Sequence, residues 1–248
     1  MPRFRATLAY DGTAYQGFQR QRDGVPTVQN TVEQAIQRIT SQAVSVIAAG
    51  RTDSGVHAVG QVIAFDADWT RPVADLLRGI NAVLPSDVAL QDLQEQAGFH
   101  PRYDALSRQY IYTIIQSPQR QPLWVRRAWI IREPLNMDVM NAAAALFVGR
   151  HDFAALGHPP QGENTVRDLF VSEWAYTPHS FGSEYVYTVR ATAFLHHMVR
   201  RMVGLMADVG RGWMALEACA RIFADADISQ VKTIAPPQGL VLASVQYP

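Results

Sequence analysis

The sequence predicts an α+β protein made of two similar halves packed side by side, each with a mostly antiparallel sheet. Three observations carry that prediction. Some stretches alternate apolar and polar residues, longer ones carry an apolar helical stripe, and the second half repeats the order of the first. RFRATLAY sets Phe4, Ala6, Leu8 and Tyr10 on one face and ends at the turn pair Asp11-Gly12, which makes it an opening strand. A polar loop, GFQRQRDGVP, leads to a helix that Thr27 is placed to cap, with Val28, Val32, Ile36 and Ile39 as its stripe. VSVIAAG and QVIAFDAD read as strands on either side of RTDSGVHAV. Thr70 and Pro72 start a second helix through Leu76, Leu77 and Ile80, and VALQDLQEQ follows as a strand.

That order, strand-helix-strand-strand-helix-strand, is the split βαβ arrangement of ferredoxin-like and RRM-like folds. It recurs in RQYIYTIIQ, MDVMNAAAALFVG, VRDLFVSEWAY, SEYVYTVRATA, FLHHMVRRMVGLMADV and LVLASVQY. The join is expected near residue 104, giving halves 1–104 and 105–248. The chain has 248 residues, 48% hydrophobic, enough for one large core or two modest ones. Its apolar runs are short and broken by charge, so no membrane span is expected, and MPRFRATLAYDG lacks the apolar stretch of a signal peptide. One cysteine, Cys219, excludes an internal disulfide and a thiolate metal cage. These features point to the cytoplasm.

Net charge is zero, and Lys232 is the single lysine among 22 basic residues. Arginine offers a planar fork suited to carboxylate and phosphate, and a neutral protein can still carry a basic cleft.

RTDSGVH, at residues 51–57, is the stretch least explained by folding alone. Gly50, Gly55 and Gly60 permit sharp turns, and Asp-Ser-Gly is ordinary turn chemistry. A turn does not require Arg51 two residues before Asp53, a spacing that can set a guanidinium against the carboxylate and keep it ionised. Such a carboxylate can serve as nucleophile or base. Asp-Ser-Gly also occurs in aspartic proteases, but an adjacent arginine opposes the proton sharing on which their aspartate pair depends. His57, His196 and His197 are the histidines a metal site would draw on. Adjacent histidines on a helix point about 100° apart, no His-Glu-x-x-His pattern exists, and no metal is expected.

FLHHMVRRMVGLMADVG is apolar over most of its circumference and is expected to be buried. Arg200 shares a stripe with His196, Gly204 and Ala207, small residues among them allowing another segment to approach, and a buried arginine there needs an anionic partner. Tyr110 and Tyr112 alternate onto one face of a strand, as core residues or as a platform for a base. Leu240 follows a rigid Pro-Pro turn.

Taken together, YDGTAYQGFQRQ, AGRTDSGVHAVGQV, FHPRYDALSRQYIY, FLHHMVRRMVG and GLVLASVQYP resemble, in order and spacing, the motifs of the tRNA pseudouridine synthase A family over nearly the whole chain. The resemblance implies the pseudouridine synthase fold and cofactor-free isomerisation of uridine at positions 38 to 40 of the tRNA anticodon stem-loop, by a homodimer. It implies Asp53 as the catalytic aspartate, Arg51 and Arg200 as its partners, Tyr110 stacked on the flipped uracil and assisting proton removal at carbon-5, and Leu240 packed against the same base. Phosphate contacts are expected from Arg20, Arg22, Arg71, Arg78 and Arg102. Phe18 stands where the family commonly has tryptophan, Ser54 where alanine is usual, and Gln238 where glutamate is frequent. The reading from a different class is a noncatalytic RRM-like RNA-binding module, to which an aimed carboxylate offers nothing.

Overall fold

The computed structural model describes residues 1–22, 24–159 and 162–248; Asp23, in the expected polar loop, lies outside them. The elements in order are β1 (Arg3–Tyr10), α1 (Val28–Thr40), β2 (Ile47–Ala48), β3 (His57–Asp66), α2 (Val73–Val83), β4 (Val88–Leu90) and β5 (Gln94–Glu95). There follow β6 (Ser107–Gln116), β7 (Trp129–Ile131), α3 (Met137–Ala145), β8 (Gly149–Asp152), β9 (Val166–His179) and β10 (Gly182–Ala191). The chain ends with α4 (Met198–Gly210), α5 (Leu216–Ala224) and β11 (Leu240–Gln246). They form an α+β fold with mostly antiparallel strand pairs, in two compact units: Met1–Leu106 with Val241–Pro248, and Ser107–Leu240.

In the first unit β1 and β3 pair antiparallel from Arg3↔Asp66 to Tyr10↔Ala58. Phe4, Ala6, Leu8 and Tyr10 are all buried, as the alternation requires. Thr27 caps α1 by accepting from the Asn30 amide at 3.4 Å, and α1 packs on α2. Pro72, rather than Thr70, stands at the cap position of α2. The strand expected from VSVIAAG is only two residues long, because two segments share the far edge of β3. β2 pairs with Ile63 and Ala64, while β11 runs parallel beside His57 and Ala58. The chain's last strand therefore completes the first unit, where Gly60 lies so close to it that a Cβ would stand 2.2 Å from the Ala243 carbonyl oxygen.

VALQDLQEQ is likewise two short strands, β4 and β5, both on β1. Between them the Asp92 carboxylate accepts from the Thr7 amide at 2.7 Å and the Thr7 hydroxyl at 2.8 Å, replacing a ladder bond with a side chain. On the opposite face of β3 a smaller cluster joins Ala49, Val62, Ala64 and Phe99 to Val245 and Tyr247. Both faces of β3 are thus covered.

In the second unit the strands run β7-β6-β10-β9-β8. Register sets Tyr112 opposite Tyr187, and Tyr187 opposite Trp174, making an aromatic row across three strands. The Tyr187 hydroxyl lies 2.7 Å from the Ser172 hydroxyl, which donates to the Ala144 carbonyl of α3 at 2.7 Å. α4 begins at Met198, not at Phe194, because His197 adopts φ +62° and turns the chain ahead of the helix. β7, β8 and α5 are additions to the expected order.

One buried charge fixes the entry to α1. Glu33 accepts from Arg20 Nη1 at 2.9 Å, Gln29 Nε2 at 2.9 Å and the Val46 amide at 2.9 Å. Glu33→Gln keeps the volume but turns a donor toward one of these three donors. It is expected to destabilise the protein by about 1–3 kcal/mol, more than Arg20→Gln, which leaves the Gln29 and Val46 donors to Glu33 in place. The two thermal midpoints check the order.

Candidate active site

Asp53 sits at a turn between β2 and β3, half-buried, with its carbonyl accepting from the Val56 amide at 3.2 Å. Gly55 takes φ +76°, which the turn reserves for glycine. The strand after it starts at His57, so the loop is shorter than residues 50–60.

What holds the turn is the segment after β1. The Phe18 amide donates to the Thr52 carbonyl at 3.0 Å, and the Thr52 hydroxyl lies 2.8 Å from the buried Tyr10 hydroxyl. Burial pushes the Tyr10 phenol up to about 12, against the opposing hydrogen bonds from Thr52 and Gln61, so it remains a neutral hydrogen-bonding group. A Cβ on Gly12 would stand 2.0 Å from the Val56 carbonyl oxygen, and one on Gly17 would stand 3.0 Å from that of Thr52. His57 is buried and its Nδ1 accepts from the Gly12 amide at 3.0 Å, with an Asp11 carboxylate oxygen at 3.1 Å. Two departures from the family pattern fit here. The Ser54 hydroxyl donates to the Tyr15 carbonyl at 3.2 Å, and Phe18 packs at 6.1 Å from the Tyr10 ring.

Arg51 differs from expectation. It is exposed, and among the described residues no ion pair joins it to Asp53. A guanidinium in water gains little from one carboxylate, so an i, i+2 spacing alone does not bring the two together.

In the second unit Tyr110 is 8% exposed on β6 and meets Phe194 edge-on at 5.1 Å. Arg200 is half-buried on α4, and its Nε donates to the Ala235 carbonyl at 2.7 Å, while the Ala235 amide donates to the Arg200 carbonyl at 3.0 Å. The small residues beside Arg200 do admit another segment. A Cβ on Gly204 would stand 2.1 Å from the Thr233 carbonyl oxygen. One turn further, burial raises the Asp208 pKa, against the Thr233 side chain and the nearby Arg211 charge. Positions 200, 204 and 208 thus form one stripe that clamps residues 233–235 along the helix.

The clamped segment then crosses Tyr112, whose hydroxyl donates to the Pro236 carbonyl at 2.8 Å. Burial holds that hydroxyl well above its ordinary pKa, opposed by the Arg200 charge. A Cβ on Gly239 would stand 2.6 Å from the Tyr112 ring, and the next residue, Leu240, is 5% exposed. His196 and His197 precede the helix with their rings stacked at 3.8 Å, so the 100° divergence expected of helical neighbours does not apply to them.

The remaining arginines are scattered. Arg20 is engaged by Glu33 and lines a shallow depression with Arg22 and Asn30 at the start of α1. Arg78 pairs with Asp75, Arg71 lies over Trp69 at 5.8 Å, and Arg102 over Tyr103 at 5.9 Å. The sequence does not single out the loop anchors Tyr10, Thr52 and Gly17, or the clamp residues Asp208 and Thr233, for these contacts.

Comparison with known proteins gives the family. A family model described as tRNA pseudouridine synthase matches residues 6–104 and 143–248. The chain is 38% identical to the tRNA pseudouridine synthase A of Geotalea daltonii, covering 100% of both chains. It is 38% identical to that of Myxococcus xanthus, over 100% of this chain and 92% of the relative. It is 39% identical to that of Syntrophotalea carbinolica, over 98% of this chain and 95% of the relative. Shared sequence over the full length, together with the loop and the clamped segment, makes this chain a member of the tRNA pseudouridine synthase family.

Proposed function

We propose that the protein isomerises uridine to pseudouridine at positions 38 to 40 of the tRNA anticodon stem-loop, with Asp53 as the nucleophile. The observation that carries this reading is the Asp53 turn, half-buried and held from below by Thr52, Gly12 and Gly17 in a family whose named members act on tRNA. Asp53 attacks the target nucleoside and the glycosidic bond breaks. The uracil turns, carbon-5 joins the ribose and loses its proton, N1 takes a proton up, and the bond to Asp53 breaks to return the carboxylate. A base in a stem must first leave its stack, at a cost of a few kcal/mol. Tyr110 and Leu240 supply an aromatic and an aliphatic face that offset part of it. Arg200 and Arg51 serve the carboxylate, Arg51 once substrate is bound. Arg20, Arg22, Arg71, Arg78 and Arg102 are the candidate phosphate contacts, with Arg20 the least available because of Glu33. The family resemblance supports a homodimer working in the cytoplasm without a cofactor.

Tritium release from carbon-5-labelled uridine in unmodified tRNA tests the nucleophile. The wild type is expected to release label, and Asp53→Asn to be slower by at least about 10³-fold. Equal rates would falsify the assignment to Asp53, and release by neither protein would return the reading to a noncatalytic RRM-like module. Substituting cytidine at positions 38, 39 and 40 in turn should remove the label stepwise.

The clamp generates a second expectation. Alanine is about 1 kcal/mol better than glycine within a helix, so Gly204→Ala on propensity alone stabilises α4. Here the new methyl group must displace the Thr233 carbonyl, and with it the path to Leu240. A lower thermal midpoint and a loss of about 10–100-fold in kcat/KM are expected. A higher midpoint with unchanged activity would show that the clamp does not set Leu240.

A further inference from the structure

The end of α4 carries an arrangement that the reaction does not use. Arg211, at the helix C-cap, is almost wholly buried, yet its Nε has no hydrogen-bond partner among the described residues. Its guanidinium lies over the Trp213 ring at 4.3 Å and over the Trp129 ring of β7 at 4.9 Å. Asp208 faces it at 3.7 Å and Glu133 at 4.0 Å, long contacts that balance charge without hydrogen bonding it. The cation is therefore held mainly by two indole faces.

Trp213 itself is 63% exposed. Its backbone is fixed nonetheless: its amide and that of Met214 both donate to the Asp208 carbonyl, at 2.9 and 3.2 Å, and Gly212 takes φ +73° to allow it. An indole with one face backed by a guanidinium, a pinned backbone and much of its surface in water loses little entropy on stacking with something else.

The surroundings indicate what that is. Residues 105–132 contain five arginines and no aspartate or glutamate. Arg126 and Arg127 are exposed on a tight turn that ends at Trp129, and Arg127 is at most about 7 Å from Trp129 along the chain. Arg132 is exposed just past β7. Arg211 links the exposed Trp213 to Trp129, beside which these arginines lie along the chain. An exposed aromatic with arginines near it is the chemistry of a single-stranded nucleic-acid contact, in which a base stacks and the adjoining phosphates pair.

We propose that Trp213, backed by Arg211 and Trp129, is a stacking platform for an unpaired base of the tRNA other than the reacting uridine, with Arg126, Arg127 and Arg132 holding the adjoining phosphates. The inference rests on tRNA being the substrate. Filter binding of unmodified tRNA, at 50 and 200 mM salt, tests both and separates them. Trp213→Ala should raise Kd about tenfold with an unchanged salt slope, and Trp213→Phe should stay within about threefold of wild type. The pair Arg126→Gln and Arg127→Gln should flatten the slope of log K against log salt by roughly 1–2. A Trp213→Ala protein that binds tRNA like the wild type overturns the platform while leaving the substrate intact. Failure of the wild type to bind tRNA removes the substrate reading itself. Unchanged tRNA binding with an altered sedimentation mass, or with lost binding to phosphatidylglycerol vesicles, would reassign Trp213 to contact with a second copy or with a lipid surface.

Discussion

A carboxylate at the tip of a turn is only as well placed as the backbone beneath it, and here that backbone is held by contacts too close for any side chain. Gly12 lies under the Val56 carbonyl and Gly17 under Thr52, each where a methyl group would collide with main chain. Main chain yields less readily than a flexible side chain, so these approaches fix the height of the Asp53 turn. The Phe18 amide and the Tyr10–Thr52 hydroxyl pair fix its direction. Removing the turn from the sheet would also strand the His57 imidazole, whose Nδ1 the Gly12 amide satisfies. The Asp53 turn and the segment after β1 are in this sense one structural object.

The second unit uses the same device for a different purpose. A glycine within a helix costs about 1 kcal/mol against alanine, and Gly204 is retained where the Thr233 carbonyl needs the space. Arg200 bonds Ala235 through both its main chain and its side chain, and Gly204 lets the Thr233 carbonyl approach one turn further, so the segment is held along α4. With Tyr112 gripping Pro236 and Gly239, the chain reaches Leu240 with little freedom left. Arg200 therefore has a positioning task besides its charge, which explains how a half-buried guanidinium is partly satisfied by a neutral carbonyl.

Much of this was legible in the sequence where period decided it. β1, β6 and β10 alternate cleanly, and α1 announces itself through Thr27 and its stripe. What period cannot show is competition for an edge. β2 is short because β11 takes the other part of the β3 edge, a long-range choice that no local pattern encodes. Asp92 interrupts β4 and β5 by acting as a ladder acceptor, which its residue type permits but does not require. At the site, motif order singled out Asp53, Arg200, Tyr110 and Leu240. Arg51 is exposed in the free chain, because spacing fixes proximity along the chain but not desolvation. Gly204 was noticed as small, but the segment it admits is about thirty residues away along the chain.

Formal neutrality conceals how the arginines are divided. Arg3 is bound to Asp66 through two nitrogens, at 2.8 and 2.7 Å, and holds that carboxyl below its ordinary range. Arg20 is matched to Glu33, Arg78 to Asp75 and Arg150 to Asp168, while Arg5 lies over Phe99 and Tyr247 at 4.9 and 4.6 Å. Each close pair cancels itself beyond a few ångströms. An approaching phosphate senses only charge within about a Debye length, 8–10 Å at physiological salt, and so responds to local excess rather than to the total. Arg120, Arg126, Arg127 and Arg132 are exposed arginines within a stretch, residues 105–132, that contains no acidic residue. A protein of zero net charge can in this way present a polyanion with a localised, salt-sensitive attraction, and still avoid the general stickiness of a basic surface.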